Sequence, residues 1–218
     1  DDRKMNQLIV YVEGESDRLA LTTLLKPLID KKNSEGIAIE FASVGQSGNM
    51  SNNKKALLVK YPRKAYQIIR NNRESAVVLL PDLYPYNVGV PHVNYSQLRD
   101  GIMYSFAALL SEHENELRSR FEVFCFKHDL EVLLLAAIDQ LQEYLGMNIR
   151  RTWSEEVEEQ DDNNPPKKII QSLFHKAKKR YGVATAAEIL RKASLEDIRA
   201  KCPQSFAPFL EYIEKLEP

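Results

Sequence analysis

The stretch Gln7–Leu25, QLIVYVEGESDRLALTTLL, decides how the rest of the chain is read. Its opening, Gln7–Glu13, is apolar and β-branched, too short for a helix, and runs into a glycine, as a buried parallel strand does. From Ser16 onward Leu19, Ala20, Leu24 and Leu28 recur at helical spacing, with Ser16 or Asp17 suited to cap the first turn. The stretch is a strand, a tight turn and a helix, and the turn carries Glu13, Gly14 and Asp17.

Ile37–Ser43 reads as a second strand, followed by the polar loop Val44–Asn53 and a helix from Lys54 towards Arg70. A third strand, Ala76–Leu80, stops at Pro81-Asp82. The loop Leu83–Val93 then leads to a helix over Tyr95–Glu114 and a fourth strand over Phe121–Lys127. Strands alternating with helices predict an α/β fold, a mostly parallel sheet with helices on both faces. Beyond Asp129 the pattern is helical throughout: Asp129–Leu145, Pro166–Tyr181, Ala184–Ala193, Leu195–Lys201 and Phe206–Leu216. The expected division is an α/β domain over 5–150, an exposed acidic and proline-bearing linker over 151–166, and a basic helical C-terminal extension over 167–218.

The 218 residues suit one such domain with an appendage. With 44% hydrophobic and 28% charged residues the chain has an ordinary globular composition, and no run of about 18 apolar residues is present to span a membrane. Asp1–Met5 carries charge where a secretory signal has an apolar core, which predicts a cytoplasmic location. Two cysteines, Cys125 and Cys202, are too few for a Cys-rich zinc site and read as packed thiols. The formal net charge of −1 gives no global attraction to nucleic acid, but its distribution is uneven. Residues 154–162 hold six acids and no base, whereas residues 165–202 hold ten Lys or Arg against three acids.

The acids with chemical promise stand where strands stop: Glu13 after the first, Asp82 after the third, Asp129 and Glu131 after the fourth. Open parallel sheets bind ligands beyond the carboxyl ends of their strands, so these ends converge on one site. Convergent carboxylates suit hard cations such as Mg2+ or Mn2+, which need one or two carboxylates plus phosphate oxygens. Gly14 is expected to let the backbone turn sharply there, with the following helix N-terminus favouring a phosphate. Glu13 and Asp17 read equally well as solvated helix-start acids. Gly45–Gly48 (GQSG) lacks the Gly-Lys-Ser/Thr continuation of a Walker loop, which argues against ATP hydrolysis by this chain.

The segment Tyr11–Leu25, YVEGESDRLALTTLL, resembles the opening motif of Toprim (topoisomerase–primase) domains: apolar strand, Glu-Gly, a nearby acid, amphipathic helix. Val77–Pro91, VVLLPDLYPYNVGVP, and Phe124–Ala136, FCFKHDLEVLLLA, are similar to a family of small stand-alone bacterial Toprim-like proteins of unknown function. Lys167–Leu190 and Arg199–Leu216 resemble that family's C-terminal helices. Asp82-Leu83-Tyr84 supplies tyrosine where Toprim enzymes commonly have a second acid, and Asp129 stands where the family usually has glutamate.

The resemblance implies a metal-dependent nuclease in which Glu13, Asp17, Asp82, Asp129 and Glu131 hold Mg2+ or Mn2+. His128 is read either as an acid/base imidazole or as a locally bonded histidine. Lys167 and Lys168 are the candidates for a site-facing lysine. Lys176, Lys178, Lys179 and Arg180 are read either as a nucleic-acid-binding surface, with Tyr181 able to stack on a base, or as a solvated helix face. DNA is preferred to RNA as substrate. The resemblance also implies phage defence and an ABC/AAA-type ATPase partner; an oligomer is left open. The competing expectation is a catalytically degenerate Toprim module that binds a partner protein or nucleic acid.

Overall fold

The structure is a computed structural model that describes residues 5–45 and 50–218. Four parallel strands form one sheet: β1 Gln7–Val12, β2 Ala38–Ser43, β3 Ser75–Leu79 and β4 Phe121–Val123, in the order β2-β1-β3-β4. The register pairs Val10 with Phe41 on one side and with Val78 on the other, so β1 lies inside the sheet.

Side chains alternate across a strand, and here each face has its own core. Leu8, Val10 and Val12 of β1, with Ala76, Val78 and Leu80 of the third strand region, enter one cluster. Tyr11, Val77 and Leu79 point into the other, with Phe121 and Val123 of β4. The second face is covered by α3 Met50–Asn71 and α4 Tyr95–Ala107, contributing Leu57, Ala65, Ile69, Leu98, Ile102 and Phe106. The first is covered by α1 Glu15–Leu24 and α2 Lys26–Ser34 together with the C-terminal helices. These are α5 Val132–Ala136, α6 Ile138–Leu145, α7 Pro166–Lys176, α8 Thr185–Leu190, α9 Leu195–Lys201 and α10 Phe206–Glu214. The α/β sheet flanked by helices is the architecture that the alternating pattern predicts.

The differences from the sequence reading are local. The helix read from Lys54 begins at Met50, and the helix read over Tyr95–Glu114 stops at Ala107, with 3-10 turns over Glu112–Arg120 before β4. The fourth strand ends at Val123, and a single bridge between Asp82 and Phe126 continues the pairing. The helix expected from Asp129 starts at Val132 and breaks at Ala137, leaving Asp129 and Glu131 on a non-helical approach. Helix α7 ends at Lys176, and Lys178 adopts a left-handed φ of 52°, turning the chain so that Tyr181 leaves the helix line.

The acidic segment 154–162 is not uniformly exposed: Val157, Glu158 and Gln160 are buried. Glu158 accepts bonds from the backbone N–H of Gln204 at 2.7 Å and Ser205 at 2.8 Å, and from the Ser205 hydroxyl. A carboxylate there satisfies the free amides that open α10. The GQSG stretch falls largely on residues 46–49, outside the described residues. Among the described residues no helix is long and apolar enough to cross a membrane. Both cysteines are buried free thiols, pushed well above the usual thiol range by burial.

Candidate functional site

The strand order places the carboxyl ends of β1, β3 and β4 side by side, so Glu13, Asp82 and the Asp129–Glu131 turn are neighbours although far apart in sequence. Backbone hydrogen bonds tie them in series. Glu13 Oε1 accepts from the Asp82 N–H at 3.0 Å, and Asp82 Oδ1 accepts from the Leu130 N–H at 3.1 Å. Asp129 accepts from the Lys167 N–H at 3.1 and 3.2 Å, which caps the start of α7. Each segment's carboxylate is thus fixed by the backbone of the next. Asp17 closes the array from the first turn of α1, its Oδ2 accepting from the Gly14 N–H at 2.9 Å.

Gly14 does not act as expected. Its φ of −133° and ψ of 167° are extended values open to any residue, and an added Cβ would meet only Asp17 Oδ2, at an ordinary 3.5 Å. Gly14 instead serves as the residue before α1, and it lines the wall of the site cavity without a side chain.

Glu13, Asp82, Asp129 and Glu131 are all buried, between 3% and 6% exposed. Crowding negative groups away from water disfavours ionisation. Burial pushes the Glu13 carboxyl up to about 8, with Asp17 adding to the rise and Lys54 opposing it. Burial and Glu131 push Asp17 to about 7. Burial lifts Asp82 well above its usual range, with contributions from Glu13, Asp17, Asp129 and Glu131. Burial also lifts Asp129, and Glu131 adds to it both by charge and by a side-chain hydrogen bond. Five carboxyl groups from three strand ends therefore act on one another.

A cavity of about 660 Å3 opens onto this array, lined by Glu13, Asp17, Glu131, Lys167, Arg180 and Tyr181 among others. Burial works against the Lys167 charge, but Glu131, Asp82, Asp129 and Asp17 outweigh it and raise its pKa. The Tyr181 hydroxyl donates to Glu131 Oε1 at 3.1 Å and its ring packs 5.0 Å from Phe174. The Tyr181 hydroxyl is thereby turned to Glu131, with the residue forming part of the cavity wall. Burial and then Glu131 push its hydroxyl far above the usual range, so it stays a donor.

Other candidates lie apart from the array. His128 is buried, and its Nδ1 stands 3.3 Å from Asp162 Oδ1. Burial lowers its pKa, while Asp162 and a hydrogen bond with the Gln160 backbone oppose that. His128 thus faces the 154–162 segment. Lys168 is exposed and its Nζ donates to Asn163 O at 3.0 Å. Lys179 donates to Tyr144 O and lies 5.1 Å over that ring. Lys176 and Lys178 are exposed, and of the basic run only Arg180 lines the site cavity.

Sequence reading missed Lys54 and His92. Lys54 is fully buried from the start of α3, and His92 is buried in the loop after Asp82. Lys54 shows no anomaly in the sequence, because Lys55 and Lys60 on the same helix are ordinary exposed lysines.

The donor chemistry suits a hard divalent cation: every candidate ligand is a carboxylate oxygen, and burial leaves their mutual repulsion unscreened. Among the described residues, no three His, Cys, Asp or Glu side chains already form a closed metal-binding group. Magnesium keeps several waters and needs only one or two carboxylates, so the open array remains compatible with it.

The C-terminal region of the Burkholderia pseudomallei OLD protein superposes with a TM-score of 0.52 at 17% identity, covering 95% of this chain and 96% of that one. This likeness shows a shared fold. The C-terminal region of the Xanthomonas campestris pv. campestris OLD protein gives a TM-score of 0.46 at 20% identity, covering 96% of this chain and 94% of that one. A comparison with curated proteins finds no match. The profile described as a domain of unknown function (DUF4276) matches residues 12–214, nearly the whole chain, and the protein belongs to that family.

Proposed function

We propose that this protein is a metal-dependent phosphodiesterase of Toprim type that acts on nucleic acid. The observation that carries the reading is the convergence of Glu13, Asp17 and Glu131 with Lys167 and Arg180 on one cavity, backed by Asp82 and Asp129. Acids alone describe a cation site; acids facing basic side chains across one cavity describe a site for a cation together with an anionic substrate.

Glu13, Asp17, Asp82 and Glu131 are the residues assigned to hold Mg2+ or Mn2+, with Asp129 braced against α7. When bound, such an ion polarises a phosphodiester and lowers the pKa of water. Lys167 draws a phosphate towards the acids and offsets charge gathering on it. Arg180 holds the strand at the cavity mouth, where a planar fork suits phosphate. Tyr181 keeps Glu131 in place. Lys168, Lys176, Lys178 and Lys179 are assigned to long-range attraction of the polyanion, and DNA remains the preferred substrate. A role in phage defence beside an ABC/AAA-type ATPase extends the Toprim resemblance.

One observation favours the second reading, a binding module without catalysis. Tyr84 occupies the position of a second acid, its backbone N–H donating to His128 O at 2.9 Å and its side chain 37% exposed.

Incubation of the purified protein with DNA and with RNA in Mn2+, beside Glu13→Gln and Asp82→Asn, separates the two. The nuclease reading expects cleavage that falls at least about 100-fold in each variant, as loss of ligand support does. Equal cleavage by both variants places the activity outside this site, and Mn2+ binding without cleavage of either polymer supports the binding module.

A further inference from the structure

Lysine is almost never fully buried unless it is paired, yet Lys54 is 0% exposed. Its ammonium donates to Leu83 O at 2.8 Å and Pro85 O at 2.7 Å, and stands 3.5 Å from His92 Nε2. The His92 ring reaches two carbonyls of the same loop, Nδ1 standing 2.7 Å from Val90 O and Nε2 3.2 Å from Leu83 O, beside the Lys54 nitrogen. Asn87 and His92 lock the far end of the loop, with His92 N–H to Asn87 Oδ1 at 3.0 Å and Asn87 N–H to His92 O at 3.1 Å. The loop from Leu83 to His92 is folded around one ammonium group.

That loop begins immediately after Asp82, and its first residues are fixed on the other side too. Leu83 N–H donates to Phe126 O at 3.0 Å and Tyr84 N–H to His128 O at 2.9 Å. Burial works against a charge on Lys54 and lowers its pKa, with Glu13 and then Asp82 opposing that.

We propose that Lys54 is a positioning residue of this site: its side-chain nitrogen gathers the Leu83 and Pro85 carbonyls and so anchors the Leu83–His92 loop that places Asp82 against Glu13. It acts through Asp82 and Glu13, and touches neither substrate nor metal. The inference rests on the metal-dependent reading and assigns a role that this reading leaves open.

The test uses the full chain with three variants. Lys54→Met keeps length and removes charge and donors; Lys54→Gln removes charge but keeps a donor, and serves if Lys54→Met does not fold. His92→Asn loosens the same loop and keeps the lysine. Mn2+ affinity by calorimetry, kcat and KM on the cleaved polymer, and hydrogen exchange over residues 82–92 are measured for each. The expected result is a loss of about 10–100-fold in Mn2+ affinity for both Lys54 variants, of the size seen when metal ligands lose their support. Their kcat falls with KM within about threefold, and exchange over residues 82–92 speeds up in both Lys54 variants and, from the far end of the loop, in His92→Asn. If the Lys54 variants lose affinity while exchange over residues 82–92 stays at the parent rate, Lys54 does not act through the loop and the inference is overturned. If the Lys54 variants bind and turn over like the parent, the inference falls and the metal reading stands. If the parent binds no Mn2+, the metal reading fails and takes the inference with it.

Discussion

Replacing Glu13 with glutamine is expected to stabilise the metal-free protein at alkaline pH while removing its activity. Burial holds the Glu13 carboxyl at about 8, against an ordinary 4.5. The folded state therefore binds this proton more tightly than the unfolded chain does. Stability from the protonated group is fully present below about pH 4.5 and is lost as pH rises through about 8. Each tenfold gap in proton affinity is worth about 1.4 kcal/mol, so the whole window corresponds to on the order of 5 kcal/mol for an isolated group. Asp17 and Asp82 share protons with Glu13, so the part attributable to one residue is taken as about 2–3 kcal/mol. Glutamine keeps the acceptor for the Asp82 N–H and cannot ionise. Thermal unfolding in EDTA at pH 5 and pH 8.5 is the assay. Glu13→Gln should match the parent at pH 5 and exceed its Tm by about 4–12 °C at pH 8.5, using the scale for a chain of this size. Mn2+ should raise the parent Tm most at the higher pH, because the ion replaces protons on the carboxylates. A parent Tm that does not fall between pH 5 and 8.5 in EDTA, or a Glu13→Gln variant with no alkaline gain, refutes the account of a desolvated acid array.

Three further outcomes are expected. Glu158→Ala removes the acceptor for two amides at the start of α10 and should cost about 2–3 kcal/mol in urea unfolding, with cleavage by the remaining folded protein unchanged. Tyr181→Phe removes the 3.1 Å donor to Glu131 and should lower kcat about 10–100-fold while leaving Tm within a few degrees. Lys167→Ala should abolish most cleavage, whereas Lys168→Ala, which removes an exposed side chain bonded to Asn163 O, should stay within about threefold of the parent in the same assay.

Much of the fold was legible because its signals are local. A short apolar, β-branched run ending in glycine, followed by a helical period, marks a strand–helix unit whatever surrounds it, and β1 with α1 follows that pattern. Glu13 and Asp17 were legible for the same reason, being four residues apart across one turn. Helix ends were less so. Asp129–Leu145 reads as one continuous helix, yet Asp129 caps α7 through the Lys167 N–H, and a residue outside the helix makes that bond.

The acids at strand ends and the alternation that builds a parallel sheet are local features, written in consecutive residues. Which basic and aromatic residues meet those acids depends on packing between segments far apart in the chain. Lys167 and Lys168 are adjacent in sequence, but one faces four carboxylates and the other faces solvent, because the start of α7 is pinned on Asp129. Tyr181 turns inward because the chain reverses near Lys178, and His128 turns away towards Asp162. Lys54 became visible only as a buried charge, since burial is a property of everything packed around a side chain and leaves no mark on the residue itself.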